Sequence, residues 1–218
     1  MSRVAIIDSG INKEDAVCKL NIVKSLSINI NENNEITETC GSKCSNHHGT
    51  VIADIISQIN PNVEIIDINI LNDELQTNGH ILLRAINRAI DLKPDIINMS
   101  LGTNSIKYIA QMMKLIKSAV KNNIYIVAAH DNRDKITFPA ALRDVIGVKR
   151  ISTLCKSNDN LIYAYEKNIY YAPDSNFYIH KLHNCKCKYI MWGNSMSAAY
   201  ITGELSVVID KLSKKTMV

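Results

Sequence analysis

The hydrophobic positions of this chain form short continuous runs, separated by longer segments with helical periodicity. Runs rich in Val and Ile have the length and composition of strands buried on both faces: residues 4–7, 63–70, 95–100, 124–129 and 145–148. Segments 49–59, 80–92 and 105–122 between them repeat apolar residues as amphipathic helices do. This alternation predicts an α/β fold of three layers, with helices flanking a mainly parallel central sheet.

The pattern changes in the last third of the chain. Residues 168–173 and 176–192 predict β structure with a hairpin around Asn184, followed by a final helix from roughly Ser195 to Leu212. The polar segment 31–47 is predicted as a loop that is longer than compact domains usually carry. We find no repeat and no Pro/Gly-rich linker, so residues 1–218 are expected to form a single domain.

Composition and charge indicate which classes of protein this chain can belong to. A hydrophobic content of 46% with 21% charged residues indicates a globular chain. The net charge of +4 is modest and the basic residues are scattered, so we expect neither a nucleic-acid nor a membrane partner. The N-terminal sequence "MSRVAIIDSG" leads directly into a strand and lacks the pattern of a signal peptide. We therefore expect a cytoplasmic protein.

Polar residues follow several predicted strands where those strands end. Asp8 follows the first strand, Asn98–Gly102 end a middle strand, and "AAHDN" (128–132) ends another. Ligands of parallel sheets gather at these carboxyl ends. His48 heads a helix behind the polar loop, and Ser195 in "GNSMSAA" opens the last helix, where a serine alone would indicate only an N-cap.

Taken together, these motifs resemble the subtilisin-like serine proteases, the subtilases. The resemblance rests on Asp8 in "AIIDSG", His48 in "HGT", "NMSLG" (98–102), Asn132, and Ser195 in "GNSMSAA". It extends from about residue 3 to about residue 204. The order Asp, His, Ser along the chain is that of subtilisin.

The resemblance implies a serine endopeptidase that works through an acyl-enzyme and needs no cofactor. Ser195 would attack the scissile carbonyl, His48 would take and return the proton, and Asp8 would orient the imidazole. Asn132 would donate to the oxyanion beside the backbone N–H of Ser195. His47, the neighbour of the base, is interpreted as an exposed loop residue.

The resemblance also implies how a substrate binds. Ser100, Leu101 and Gly102 match an edge segment that pairs with an extended peptide or protein segment. His130 and Asp131 replace the small residues that usually precede the oxyanion Asn, and Arg133 follows at the rim. An Asp131 facing the pocket favours a basic residue before the cut, and a dominant Arg133 an acidic one. The side chains could equally turn to solvent or pair with each other.

Three further departures from the family pattern shape the prediction. Asn194 stands where Thr is usual and Ala199 where Pro is usual, and Asn194 is interpreted as only flanking the nucleophile. Asp8 comes too early for the propeptide and calcium-binding N-terminus of secreted relatives, and no calcium-loop spacing is visible. We therefore expect no metal and no cleaved propeptide. Narrow specificity, such as leader-peptide removal, would then restrain the enzyme.

The six cysteines allow three interpretations. A cytoplasmic location favours free thiols, and a disulfide is the second possibility. Zinc is the third, since near-ligand spacings occur at Cys40, Cys44, His47, His180, His183, Cys185 and Cys187. The sequence leaves the oligomeric state open.

Two other functions compete with proteolysis. One is an inactive subtilase fold that serves as a peptide-binding or regulatory module. The other is a nucleotide-binding domain with "DSG" as its phosphate turn, but the chain lacks both glycine-rich phosphate motifs.

Overall fold

The computed structural model describes residues 1–42, 44, 46–151, 165–166, 169–172 and 193–215. Its nine strands are β1 (Arg3–Asp8), β2 (Ile22–Ile30), β3 (Ile36–Cys40), β4 (Glu64–Asn69), β5 (Ile96–Met99), β6 (Tyr125–Ala129), β7 (Ile146–Arg150), β8 (Tyr165–Glu166) and β9 (Ile169–Ala172). They form one sheet in the order β3-β2-β4-β1-β5-β6-β7-β9-β8. Both terminal pairs, β2 with β3 and β8 with β9, are antiparallel, and every other pairing is parallel.

Helices cover both faces of this sheet. They are α1 (His48–Ile59), α2 (Gly79–Asp91), α3 (Ile109–Lys121), which a 3₁₀ turn at Ile106–Tyr108 precedes, and α4 (Asn194–Lys215). One hydrophobic core joins α2 and α3 to the sheet, and a second joins α1 and α4 to the opposite face. The predicted three-layer α/β fold with a mainly parallel sheet is therefore confirmed. Among the described helices, none has the length and apolar character needed to cross a bilayer.

The prediction that residues 31–47 form a loop is partly wrong, because residues 36–40 form strand β3. The side chains of β3 are mostly exposed and polar, so the sequence shows no buried face there. Backbone pairing with β2 defines it instead, with Ile30 opposite Ile36 and Leu26 opposite Cys40. The predicted hairpin around Asn184 lies outside the described residues.

Candidate active site

Asp8 and His48 form a buried hydrogen-bonded pair at the carboxyl end of β1. The Asp8 side chain is 1% exposed, and its Oδ1 lies 2.7 Å from Nδ1 of the His48 ring. The same oxygen accepts the backbone N–H of Ser9 at 2.7 Å. An imidazole whose Nδ1–H points at a carboxylate presents Nε2 as its basic atom.

The start of α1 is fixed against the turn that follows Asp8. Asn46 accepts the backbone N–H of His48 through its Oδ1 at 2.9 Å. The Ser9 hydroxyl donates to the Asn46 carbonyl and accepts the N–H of Gly49, both at 3.0 Å. A Cβ on Gly49 would lie 2.4 Å from the carbonyl oxygen of Gly10, so the close approach of helix and turn requires glycine. The "HGT" sequence thus packs His48 directly onto the Asp8 turn.

The Asp8 carboxylate also controls the protonation of His48. Burial by itself would lower the pKa of the His48 imidazole, because a charged ring is poorly solvated there. The charge of Asp8 and its hydrogen bond act in the opposite direction and outweigh burial. The pKa of His48 is therefore raised above its ordinary value.

Ser195 lies in the first turn of α4, beside the strand end that neighbours Asp8. Its hydroxyl donates to the carbonyl oxygen of Ser100 at 3.1 Å. Strands β1 and β5 are adjacent, with Ile7 opposite Met99, so the residues that follow, Asp8 and Ser100, lie at neighbouring strand ends. Adjacent strands are about 4.8 Å apart. The fold therefore gathers the predicted carboxylate, imidazole and hydroxyl at one edge of the sheet.

The hydroxyl of Ser195 and the ring of His48 are not hydrogen-bonded to each other. Within the described part of the chain, Ser195 Oγ bonds to Ser100, and the His48 ring bonds to Asp8. Of the predicted Asp8–His48–Ser195 relay, the structure contains the Asp8–His48 hydrogen bond and no hydrogen bond between His48 and Ser195.

The Asn132 side chain lies against the turn that precedes Ser195. Its Oδ1 accepts the backbone N–H of Asn194 at 2.9 Å, and the amide nitrogen makes no hydrogen bond to any residue that the structure describes. Gly193 has φ +131°, and a Cβ there would lie 2.8 Å from Asn132 Oδ1. Glycine at position 193 is therefore needed for both the turn and the packing of Asn132.

Asn194 has a larger role than the sequence indicated. Its amide donates to the carbonyl oxygens of His130 and Asp131, at 2.9 and 3.1 Å. Its Oδ1 accepts the backbone N–H of Arg150 at 2.8 Å. Asn194 is 5% exposed and ties the start of α4 to β6 and β7. The interpretation that it only flanks the nucleophile is wrong, because partners far away in the sequence leave no local signal.

The predicted peptide-binding segment runs along the surface beyond β5. Leu101 is half-buried and Gly102 is exposed. Thr103 and Phe138 exchange two backbone hydrogen bonds of 2.8 Å, which hold the far end of the segment. A Cβ on Gly102 would lie 2.4 Å from Thr137 Cγ2, so this glycine permits close packing.

The predicted specificity residues point in different directions. His130 is buried, and its Nε2 lies 2.7 Å from where a Cβ on Gly147 would be. It lines a cavity of about 430 Å³ together with Lys149 and Asp134, whose side chains form an ion pair at 2.8 Å. Burial and the charge of Lys149 lower the pKa of His130. His130 therefore lies beside an ion pair in this cavity.

Asp131 and Arg133 form a local turn. The carboxylate of Asp131 accepts the backbone N–H of Arg133 at 2.7 Å, and the Arg133 side chain is exposed. This contact is of the Asx-turn kind, which aspartate commonly forms with the backbone two residues ahead. The carboxylate is thus engaged by backbone.

The cysteines and histidines of the described region show no metal site. Cys18, Cys40 and Cys44 are free thiols. Among the residues that the structure describes, no three His, Cys, Asp or Glu side chains are grouped as metal ligands. The remaining predicted ligands, His180, His183, Cys185 and Cys187, lie outside those residues, as does Cys155.

Comparison with known proteins agrees with this fold. The model of the subtilase family (peptidase S8) matches residues 2–217. The chain therefore belongs to the subtilase family of serine proteases.

Two curated relatives come from Bacillus subtilis (strain 168). The major intracellular serine protease is 27% identical over 180 residues, which is 75% of this chain and 55% of that protein. The minor extracellular protease Epr is 30% identical over 158 residues, which is 67% of this chain and 23% of that protein. The matched regions thus span about half of the first relative and about a quarter of the second.

Two solved structures share the fold. A lanthipeptide protease superposes with a TM-score of 0.74 at 19% identity, covering 100% of this chain and 75% of that one. The prenylagaramide maturation protease PagA superposes with a TM-score of 0.71 at 22% identity, covering 99% of this chain and 77% of that one.

Proposed function

We propose that this protein is a serine endopeptidase whose triad is Asp8, His48 and Ser195. Ser195 attacks the scissile carbonyl while His48 Nε2 removes its proton, and an acyl-enzyme forms as the amine leaves with that proton. Water then hydrolyses the ester by the same route. Asp8 keeps the ring oriented and stabilises the imidazolium.

The observation that carries this proposal is the 2.7 Å contact between His48 and the buried Asp8 carboxylate, at the sheet edge where Ser195 opens α4. In the proposed mechanism the Ser195 hydroxyl leaves the Ser100 carbonyl and bonds to His48 when substrate binds, because catalytic hydrogen bonds often tighten only in the substrate complex.

Asn132 is proposed as the oxyanion donor. Its Oδ1 is held by the N–H of Asn194, the residue before the nucleophile, so its amide nitrogen is oriented before substrate arrives. Such preorganised donors stabilise charge that develops in the transition state. The backbone N–H of Ser195 supplies the second donor.

The substrate is proposed to be an extended peptide that pairs with Ser100, Leu101 and Gly102. Residues 1–218 are proposed to act as one peptidase domain, with His130, Asp131 and Arg133 near the residue before the cut. Asp131 is hydrogen-bonded within a turn, and His130 lies beside Lys149. Among these three residues, Arg133 is therefore the one whose charge is most accessible to a substrate. We expect it to favour an acidic residue there.

A cytoplasmic processing role, such as removal of a leader peptide, is proposed by analogy. A curated relative is named an intracellular serine protease, and two proteins of the same fold are named for lanthipeptides and for maturation.

The test is a cleavage map. The purified protein is incubated with a peptide library, cuts are identified by mass spectrometry, and Ser195→Ala serves as the matched control. Labelling of Ser195 by a small fluorophosphonate reports nucleophile activation without any knowledge of the substrate. Cuts that persist in Ser195→Ala would show a contaminating protease.

One observation favours a second function, an inactive fold that binds peptides. The Ser195 hydroxyl is hydrogen-bonded to the Ser100 carbonyl and not to His48. If this state persists with bound peptide, the protein captures peptides without cutting them. Absence of labelling, together with measurable peptide binding, would support this alternative.

A further inference from the structure

A second buried carboxylate, Asp67, lies in the sheet beside the site but takes no part in the proposed chemistry. It interrupts the run of isoleucines in β4, is 1% exposed and pairs with Ile6 of β1. Burial raises the pKa of Asp67 to about 6 despite its hydrogen bonds, and the negative charge of Asp8 adds to this rise. Residues that break a local folding rule in this way are often functional.

Two serine hydroxyls bind the same oxygen of Asp67. Ser25 donates to Oδ2 from β2 at 2.8 Å, where it stands directly beside Asp67 in the sheet. Ser42 donates to the same Oδ2 from the connection between β3 and α1. One donor therefore belongs to the sheet, and the other to the segment that leads to His48.

The beginning of this connection is fastened to the sheet. Gly41 donates its N–H to the Ser25 carbonyl at 2.9 Å, and its own carbonyl accepts the Ser27 hydroxyl at 3.1 Å. Ser42 then lies against the turn after Asp8, since a Cβ on Gly10 would be 3.1 Å from Ser42 Oγ. The Asp67–Ser42 contact thus fixes the connection where it passes the catalytic carboxylate.

The end of the connection is held separately, by the Ser9 hydroxyl on the Asn46 carbonyl. Ser9 directly follows Asp8. The Asn46 contact and the Ser42 contact therefore both lie against the turn that follows Asp8. The position of His48 relative to Asp8 therefore depends on the direct contact of Gly49 with Ser9 and on two anchors of the connection, one at Asn46 and one at Ser42.

We propose that Asp67 is a positioning residue of the protease, which holds His48 in register with Asp8 through Ser42. This inference rests on the proposed function. Displacing a reacting group by about 1 Å can cost about 100-fold in rate, so a remote anchor can have a large catalytic effect.

Ser42→Ala and Ser25→Ala form a matched pair, because each removes one hydroxyl from the same carboxylate oxygen. We expect Ser42→Ala to slow both fluorophosphonate labelling and kcat about 10- to 100-fold, with KM within about twofold of the wild-type value. Ser25→Ala should label within about twofold of wild type, with a comparable fall in unfolding temperature. Equal labelling rates for the two variants would overturn the proposal.

Substitutions of Asp67 separate positioning from stability. Asp67→Asn keeps an acceptor oxygen for Ser42, and Asp67→Val keeps a similar shape without one. We expect Asp67→Val, which leaves both serine hydroxyls without this acceptor, to label about 10-fold or more slowly than Asp67→Asn when both are assayed below their unfolding temperatures. Equal labelling by these two variants would also overturn the proposal, even if Ser42→Ala does not fold.

The wild-type protein distinguishes this inference from the proposed function. If wild type is not labelled, the protease assignment fails by itself. The effect of the Ser42–Asp67 contact is then measured by the proton NMR signal of His48 Nδ1–H. This signal reports the hydrogen bond to Asp8 and does not require catalysis. We expect Ser42→Ala to shift or lose this signal and Ser25→Ala to retain it, and an unchanged signal in both would refute the anchor.

Discussion

The amide oxygen of Asn132 accepts the backbone N–H of Asn194, the residue immediately before the proposed nucleophile, at 2.9 Å. This contact joins the end of β6 to the start of α4. Because the oxygen is engaged, the NH₂ group is the end of the Asn132 side chain that would face substrate in the proposed mechanism.

Removal of the Asn132 amide should therefore affect the transition state more than substrate binding. We expect Asn132→Ala to lower kcat about 10²- to 10³-fold, as loss of the corresponding donor does in a subtilisin, with little change in KM. Steady-state kinetics on a peptide from the cleavage map would test this. An equal loss in Asn33→Ala, which alters an exposed turn, would contradict a specific role.

Asn194 should be important for stability. Asn194→Ala removes three hydrogen bonds and leaves the N–H of Arg150 and the carbonyls of His130 and Asp131 to find new partners. We expect the free energy of unfolding to fall by about 2–4 kcal/mol, because unsatisfied buried groups cost about 1–3 kcal/mol each and part of this relaxes. Chemical denaturation would measure the change. Asn33→Ala, as control, should stay within about 0.5 kcal/mol of wild type.

The pH dependence of activity should reflect the raised pKa of His48. The base must be neutral, so kcat/KM rises as His48 loses its proton, and the Asp8 carboxylate shifts this step upward. We expect the acid limb to have a midpoint above about 6.5, the value of an unperturbed imidazole. In Asp8→Asn, an NMR titration of the His48 ring should give a lower pKa than in wild type. A midpoint that is the same in both proteins would contradict the assigned partner.

The stability of the protein should fall as pH rises through the titration of Asp67. Its pKa is raised from 3.8 to about 6, so the folded state holds a proton that the unfolded state has released. Between those values, the free energy of unfolding decreases with pH. The full change is on the order of 3 kcal/mol for about two pKa units.

Denaturation curves from pH 4 to 7.5 for wild type and Asp67→Asn would isolate this contribution. His48 also has a raised pKa and loses stability in the same direction, but it is present in both proteins. The difference between the two curves should therefore grow with pH in favour of Asp67→Asn. A constant difference would mean that Asp67 does not titrate in this range.

Chelation should leave the protein stable. The sequence contains no acidic loop with calcium-binding spacing, so we expect EDTA to change the unfolding temperature by less than about 1 °C. Differential scanning fluorimetry with EDTA, and with calcium added back, would detect a dependence. A large calcium-reversible fall would show that the expectation of no metal is wrong.

Several features of the fold could be read from local pattern. Strands β4, β5 and β6 appear within one or two residues of their predicted ends, because strands buried on both faces carry continuous apolar runs. Helices α1 and α2 agree equally well. The long α4 also lies where the small residues after Gly193 and the apolar periodicity placed it.

Other features had no local signal. Strand β3 is exposed and polar, and only pairing with β2 makes it a strand. The segment 105–122 has more apolar positions than the sheet can cover, so Ile106, Met113 and Val120 remain exposed while Met112 and Ile116 are buried. Periodicity gives the face of a helix but not how much of that face the neighbouring layer covers.

The site divides in the same way. Asp8, His48, Asn132 and Ser195 were predicted as site residues from short motifs that resemble those of the subtilases. The importance of Asn194 and of the Ser42–Asp67 contact became visible only in three dimensions. Both depend on hydrogen bonds between residues that are many positions apart in the chain.

The sequence by itself determined the layers of the fold and the segments that form its core. It also determined the order of the predicted site groups along the chain, which are the Asp8 carboxylate, the His48 imidazole and the Ser195 hydroxyl. Tertiary structure decided which strands are neighbours, with β4 between β2 and β1, and hence which polar side chains meet at the sheet edge. The reason is physical. Apolar periodicity and motif chemistry are local properties of a chain, whereas strand register and buried hydrogen bonds are set by the simultaneous packing of distant segments.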